Sequence, residues 1–261
     1  MEWSDTALVL SMGRFRESDI WVRMLTRRHG IVSAFAFGGS RSRRRFAGCL
    51  DLFNELRIST RTTGNGMYLA LQEGILVNGP RRLRTDWKRL GMFMNCVRFT
   101  EALGVPPDGA AGAFALLKDT LLLLERAERV EELLPVLFRL RLASEQGYAP
   151  ALEGCSVCGL ATPEQTGFLV ADGVIVCAKC APPRGMLVPL SVGSLDVLRR
   201  VQEISPLHWT FAGGVAEGGG GAEPERGPLS PAERRECARA VEGFVQYHLG
   251  LIWDKGRFRR A

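Results

Sequence analysis

The sequence has little of what most catalytic chemistry needs. Its three histidines, His29, His208 and His248, stand far apart, with no metal or triad spacing around them. It contains no nucleophile elbow, dinucleotide loop or zinc-protease helix. Glu131/Glu132 and Glu223/Glu225 fall at a helix start and in a Gly-rich stretch, poor places for a working carboxylate pair. These absences argue against an enzyme. No apolar run approaches the ~18 residues a membrane helix needs. Met1-Glu2-Trp3-Ser4-Asp5 lacks the basic start and apolar stretch of a secretory signal. Seven cysteines is an odd number, and Cys49, Cys96 and Cys237 are scattered singly. That usage points to a reducing cytoplasm, with these three as packing thiols. The 261 residues, 46% of them hydrophobic, suffice for two or three domains with cores of their own.

The other four cysteines form two tight pairs, Cys155/Cys158 and Cys177/Cys180, spaced C-x2-C-x18-C-x2-C. This spacing suits tetrahedral coordination of Zn2+ by four thiolates. Between the pairs, Gly167 to Val176 reads as two short strands around the Asp172-Gly173 turn, a zinc-ribbon pattern. Four protein ligands leave no open position on the metal, so the expected role is structural.

Positive charge is concentrated at the front of the chain. Through Arg84 there are 14 Lys and Arg against 7 Asp and Glu, while the remainder holds 20 against 21. Such asymmetry points to a polyanion partner. The same segment reads as five short strands: Thr6–Phe15, Ile20–Thr26, Ile31–Phe37, Leu50–Arg61 and Met67–Glu73. In the fourth, Leu56 and Ile58 point in, while Arg57, Ser59 and Arg61 point out. Thr63-Gly64-Asn65-Gly66 is a hairpin signal. Five strands with a long third connection fit an OB-type barrel, and an SH3-like barrel would read similarly. The long connection carries Arg41, Ser42, Arg43, Arg44, Arg45 and Phe46. Guanidiniums this crowded need anions or free solvent, and phosphates would satisfy them bidentately. Of the nearby rings Phe15, Trp21, Phe35, Phe37 and Phe46, most are expected in the core and one or two as platforms for bases.

The rest is expected to be helical, which makes the fold class α+β. Arg81–Leu103 carries a helical stripe of Leu83, Trp87, Leu90, Met94 and Val97. Helices follow over Ala110–Ala127 and Glu131–Gly147, then another capped by Ser191 or Ser194 and running to Ile204. Ser230-Pro231-Ala232-Glu233 opens a last helix expected to reach about Trp253. The domains are drawn as a barrel at 1–79 and a helical domain at 80–261, with the ribbon at 150–189. Residues 213–228 are Gly-, Glu- and Pro-rich and read as a flexible insertion. Lys255, Arg257, Arg259 and Arg260 form a basic tail that adds phosphate contacts or is simply solvated.

Three stretches carry a resemblance. The first is Gly38-Gly39-Ser40-Arg41-Ser42-Arg43 with Phe46, Gly48, Leu50 and Phe53. The second is Glu73 at the end of the barrel. The third is Leu142-Ala143-Ser144-Glu145-Gln146-Gly147-Tyr148-Ala149-Pro150-Ala151-Leu152 running into Cys155. In order and spacing, over nearly the whole chain, they resemble the bacterial RecO family. The resemblance implies a cytoplasmic, nucleoid-associated recombination mediator without catalytic residues. Such a protein binds single- and double-stranded DNA and anneals complementary strands. With RecR it helps load RecA on DNA coated by single-strand-binding protein, whose acidic tail is a further partner. On this reading Arg41, Arg43, Arg44 and Arg45 make the main DNA contact. Arg14, Arg16, Arg57, Arg61, Arg81, Arg82 and Arg84 extend it. An RNA- or ribosome-associated zinc protein is the alternative. The chain departs from the family pattern in its Gly-rich insertion and at Leu251-Ile252-Trp253-Asp254-Lys255.

Overall fold

The computed structural model describes residues 1–63, 66–161, 166–183, 185–209, 211 and 227–261. The chain divides into two compact units. The first joins Met1–Asp86 to Gly104–Lys118, and the second joins Trp87–Leu103 to Asp119–Ala261.

The first unit is built on β1 (Glu2–Arg14), β2 (Ile20–Thr26), β3 (Gly30–Ala36), β4 (Glu55–Thr62) and β5 (Leu69–Asn78). Pairing runs β1-β2-β3-β5-β4 and returns to β1, so the sheet closes into the expected barrel. The closing contact is a parallel pair, Phe35 with Ala70. β1 starts at Glu2 rather than Thr6, because its polar first residues pair with β4, from Glu2 against Arg61 onward. A bulge between Val9 and Ser11 interrupts its register with β2, a common way to bend a strand that serves two neighbours. Inward residues Val9, Val22, Met24, Ala34, Leu56, Ile58 and Leu71 fill the core. Phe46 and Cys49 pack with them from the β3–β4 connection.

That connection is longer than the sequence indicated. Leu50–Asn54 does not pair as strand, and β4 begins only at Glu55. The segment instead turns tightly. Phe53 adopts φ +65 and donates its N–H to the Val9 carbonyl at 2.9 Å, while Asn54 Nδ2 donates to the Cys49 carbonyl at 2.8 Å. Gly30 marks the turn before β3. A Cβ there would lie 2.1 Å from the Val105 carbonyl oxygen, and its φ is +67, so only glycine fits. Gly64 and Asn65 of the expected hairpin turn lie outside the described residues, as do residues 213–226 of the Gly-rich stretch.

In place of one helix from Arg81 there are two, α1 (Arg82–Thr85) and α2 (Trp87–Leu103). Extended backbone at Asp86 separates them. Trp87 is 77% exposed and leaves the expected stripe, Val97 is buried as expected, and α2 also buries Phe93, Cys96 and Phe99. α3 (Ala110–Arg126) contributes its first part to the first unit and its second part to the second. α4 (Leu134–Glu145) is the central helix of the second unit, buried along most of its length. It packs against α2, α5 (Val192–Glu203) and α6 (Pro231–Leu249). Ser191 caps α5, and Ser230 with Glu233 forms a capping box on α6.

α6 stops at Leu249, short of Trp253, because Gly250 takes the left-handed cap conformation with φ +61. Leu251-Ile252-Trp253 then favours strand. β9 (Leu251–Asp254) pairs antiparallel with β10 (Arg257–Arg260). The expected basic tail is therefore a hairpin, turned by Lys255 at φ +44 and Gly256 at φ +82, the signs a type I′ turn requires. The ribbon has the two anticipated strands, β6 (Thr166–Leu169) and β7 (Val174–Cys177), and a third, β8 (Leu187–Leu190), on the open edge of β6. Phe168 meets Phe244 of α6 at 6.2 Å between ring centres, which seats this small sheet on the helical layer.

Candidate nucleic-acid interface and metal centre

Outward residues of β2 and β3, with the loops that flank them, gather the exposed rings of the barrel. Phe35 on β3 lies 4.8 Å from Phe15, 6.1 Å from Phe37 and 5.6 Å from Tyr68, between ring centres. Phe15 is 51%, Phe37 40% and Tyr68 49% exposed. In five-stranded OB barrels this face and the loops after β1 and β4 form the oligonucleotide-binding surface. Phe15 lies just after β1, and Tyr68 just before β5. Phe46, in contrast, is core, at 3% exposed. Tyr68 went unnoticed in the sequence. Its signal was a ring beside a glycine turn at the barrel rim.

The basic connection is pinned beside this face. Gly38 N–H donates to Asp19 Oδ1 at 2.8 Å, and Ser40 N–H to the Ser18 carbonyl at 3.1 Å. Both acceptors lie in the β1–β2 loop. Arg41 pairs with Glu17 of that loop. Arg45 donates to the Phe37 carbonyl at 2.6 Å and lies over the Phe46 ring at 5.0 Å. Arg41 to Arg45 and Glu73 line a groove of about 780 Å³.

The predicted arginines therefore separate into classes. Arg43 and Arg44 are exposed and have no partner among the described residues. Arg14 and Arg57 are likewise exposed and unpaired among the described residues. Arg16 covers Phe15 at 5.4 Å. Arg61 faces Glu2 at 3.5 Å. Arg81 and Arg82 are exposed at the start of α1. Arg84 is a staple. It binds Asp51 at 2.9 Å and Asn54 Oδ1 at 2.9 Å, and so holds the turn before β4.

In the second unit the sulfur atoms of Cys155, Cys158, Cys177 and Cys180 lie within 4.8 Å of one another and could hold a metal ion. Cys158 Sγ and Cys177 Sγ are 3.8 Å apart, matching the edge of about 3.8 Å of a tetrahedron with ~2.3 Å metal–sulfur bonds. Cys177 N–H donates to Cys155 Sγ at 3.3 Å. Hydrogen bonds from the backbone of Cys158 and Cys177 lower the Cys155 pKa to about 6. Cys177 and Cys158 beside it push the Cys180 thiol up to about 12. A thiolate among crowded sulfurs is stabilised by a cation, so the donor set fits a soft divalent ion.

Comparison with known proteins identifies the family. The family model described as "Recombination protein O N terminal" matches residues 1–79, and "Recombination protein O C terminal" matches residues 84–211. The chain belongs to the RecO family. A "DNA repair protein RecO" of Nitratidesulfovibrio vulgaris (strain DP4) is 51% identical over 265 residues, covering 100% of both chains. One of Lawsonia intracellularis is 45% identical with the same coverage. One of Myxococcus xanthus is 32% identical, over 95% of this chain and 93% of its own. The N-terminal RecO segment holds the aromatic face and the loop arginines. The C-terminal RecO segment holds the four cysteines. No helix among the described residues is long and apolar enough to cross a membrane.

Proposed function

We propose that this protein is a non-enzymatic recombination mediator of the RecO type, which binds single- and double-stranded DNA and anneals complementary strands. The observation that carries the reading is the aromatic face of the barrel. Phe15, Phe35, Phe37 and Tyr68 are gathered in space and partly exposed, beside Arg43 and Arg44, which have no partner among the described residues. Stacking uses the flat face of a base and leaves its pairing edge free. Arginines on the backbone screen the repulsion between two incoming strands without reading sequence. Annealing needs these two services and no covalent step. Cooperation with RecR in loading RecA follows from the family reading, as does action in the cytoplasm at the nucleoid.

The acidic tail of single-strand-binding protein has a candidate seat in the second unit. Arg139, Glu242, Leu251, Trp253 and Phe258 line a pocket of about 230 Å³. The Arg139 guanidinium is buried, and its Nε has no hydrogen-bond partner among the described residues. Burial lowers its pKa, and Glu242 partly restores it. A carboxylate entering this pocket would compete with Glu242, 3.5 Å from the Arg139 guanidinium, while Leu251, Trp253 and Phe258 offer apolar contact.

Cys155, Cys158, Cys177 and Cys180 would hold Zn2+, which supplies charge neutralisation and a cross-link between the two knuckles of the ribbon.

The decisive experiment replaces the exposed rings. Phe15→Ala and Tyr68→Ala should each weaken single-strand binding by about 5- to 150-fold, the 1–3 kcal/mol typical of one stacked base. Duplex affinity should barely move, because duplex bases are already stacked. Equal loss for both substrates, or none, would sink the reading.

A further inference from the structure

The C-terminal hairpin presents two different faces. Register sets Phe258 opposite Trp253 and Arg260 opposite Leu251 on one side, and Arg257 opposite Asp254 and Arg259 opposite Ile252 on the other. On the first side Leu251 and Phe258 pack inward, while Trp253 is 40% exposed. Phe258 lies 5.1 Å from Phe99 and 4.9 Å from Trp253, and Arg139 sits over it at 5.0 Å. The second side is basic. Lys255 and Arg257 are exposed and have no partner among the described residues. Arg259 is 56% exposed, with Asp254 at 3.1 Å as its partner. Arg98 of α2 reaches the turn and donates to the Gly256 carbonyl, which adds a cation at the hairpin tip. Asp254 is the only carboxylate the hairpin itself carries.

We propose that this outer face is a second polynucleotide contact, independent of the barrel, which holds the phosphate backbone of another strand. The inference rests on the DNA-binding reading and adds to it a location for the second strand. Three features support it. The cations are carried on a hydrogen-bonded hairpin held down by Phe258 against Phe99, so little backbone freedom is lost on binding. The spacing of alternate residues on a strand, about 6.6 Å, suits successive phosphates of a single strand. Among the described residues this face shows no exposed ring, the hairpin's exposed Trp253 lying on the other side, so it would bind any sequence through its backbone. The barrel face offers stacking platforms and this one offers charge. A protein with one of each can hold one strand by its bases and another by its phosphates.

The test uses the full chain with Lys255→Gln, Arg257→Gln and Arg259→Gln combined. Two non-complementary oligonucleotides carrying donor and acceptor dyes report bridging by energy transfer, and anisotropy of one labelled strand reports single-strand binding over a salt series. The wild-type chain should bridge the two strands. The variant should still bind one strand, with the barrel intact, but lose bridging by tenfold or more. Its log–log salt slope for two-strand complexes should shrink by about 2, near 0.7 for each of three phosphates. Arg257→Glu alone should reduce bridging further than Arg257→Gln. Charged side chains also shield hairpin edges from pairing with other chains. If that were their whole role, the variant would bridge normally and would instead aggregate, which would overturn the proposal. A wild-type chain that binds one strand but never two would overturn it as well. A wild-type chain that binds no strand even at low salt would instead defeat the DNA-binding reading itself.

Discussion

Trp21 of β2 packs its indole over Gly13, its ladder partner on β1. A Cβ at Gly13 would stand 2.7 Å from the indole Nε1. The missing side chain on one strand thus sets where a ring lies on the strand that leads into the aromatic face.

Gly13→Ala should therefore push Trp21 from its place. The methyl group overpacks a tight contact, which costs about 1–3 kcal/mol in typical cases. A lower melting temperature and a displaced Trp21 indole N–H resonance are expected. An unchanged resonance with unchanged melting would show that the ring has room to spare.

Two arginine substitutions should behave oppositely. Arg43→Ala with Arg44→Ala removes exposed cations that have no partner among the described residues. Stability should stay within about 0.5 kcal/mol. The single-strand salt slope should shrink by about 1.4, the share of two phosphates. Arg84→Ala should lower stability by about 1 kcal/mol, because the buried Asn54 oxygen loses a donor. Its salt slope should stay near that of the wild type. Calorimetry and anisotropy titrations on the same samples decide between these outcomes.

Metal removal should act on the ribbon and through it on the helical layer. Among the described residues few apolar side chains surround the cysteines beyond Leu169, Val176 and Ala181, so a metal cross-link would contribute much of the local stability. A chelator should lower the melting temperature and speed hydrogen exchange in β6 and β7. Cys158→Ser should do the same and reduce bound zinc. Near-native exchange in metal-free protein would contradict a structural role.

Glu236 supplies a pH dependence with a definite sign. Burial alone would raise its pKa. Hydrogen bonds from the Ser194 hydroxyl and from the Ser191 N–H and hydroxyl, with the charge of Arg235, outweigh burial and lower it. A carboxyl depressed in the folded state stabilises the fold above its unfolded pKa, and that contribution is lost as pH falls through the folded value. Glu236→Gln should cost about 1 kcal/mol near neutral pH, the scale of a lost helix cap. The gap to wild type should close in acid. A gap that persists below the carboxylate range would assign the effect to packing instead.

Several elements were legible because their signals are local. Alternation along Glu55–Arg61 identified β4's inward and outward residues, as Leu56 and Ile58 in the core and Arg57 and Arg61 outside bear out. The cap at Ser230 read correctly because its box lies within four residues. The end of α6 was misread, since Gly250 and the Lys255-Gly256 turn signal a hairpin only once Arg257–Arg260 is seen to pair with Leu251–Asp254. The false start of β4 at Leu50 has the same cause. Apolar Leu50, Leu52 and Phe53 look like strand, but they fold inward over the barrel on a turn held by Asn54.

By itself the sequence determined the strand periodicity, the helix caps, the spacing of four thiols and the crowding of arginines in one connection. Each depends only on neighbours a few residues apart, where backbone geometry repeats. Tertiary structure alone decided which arginines stay free and which become staples, and it gathered Phe15, Phe35, Phe37 and Tyr68 on one face. Pairing across the closed barrel sets those outcomes, because charge neutralisation and ring contact depend on distances in space between residues far apart in the chain.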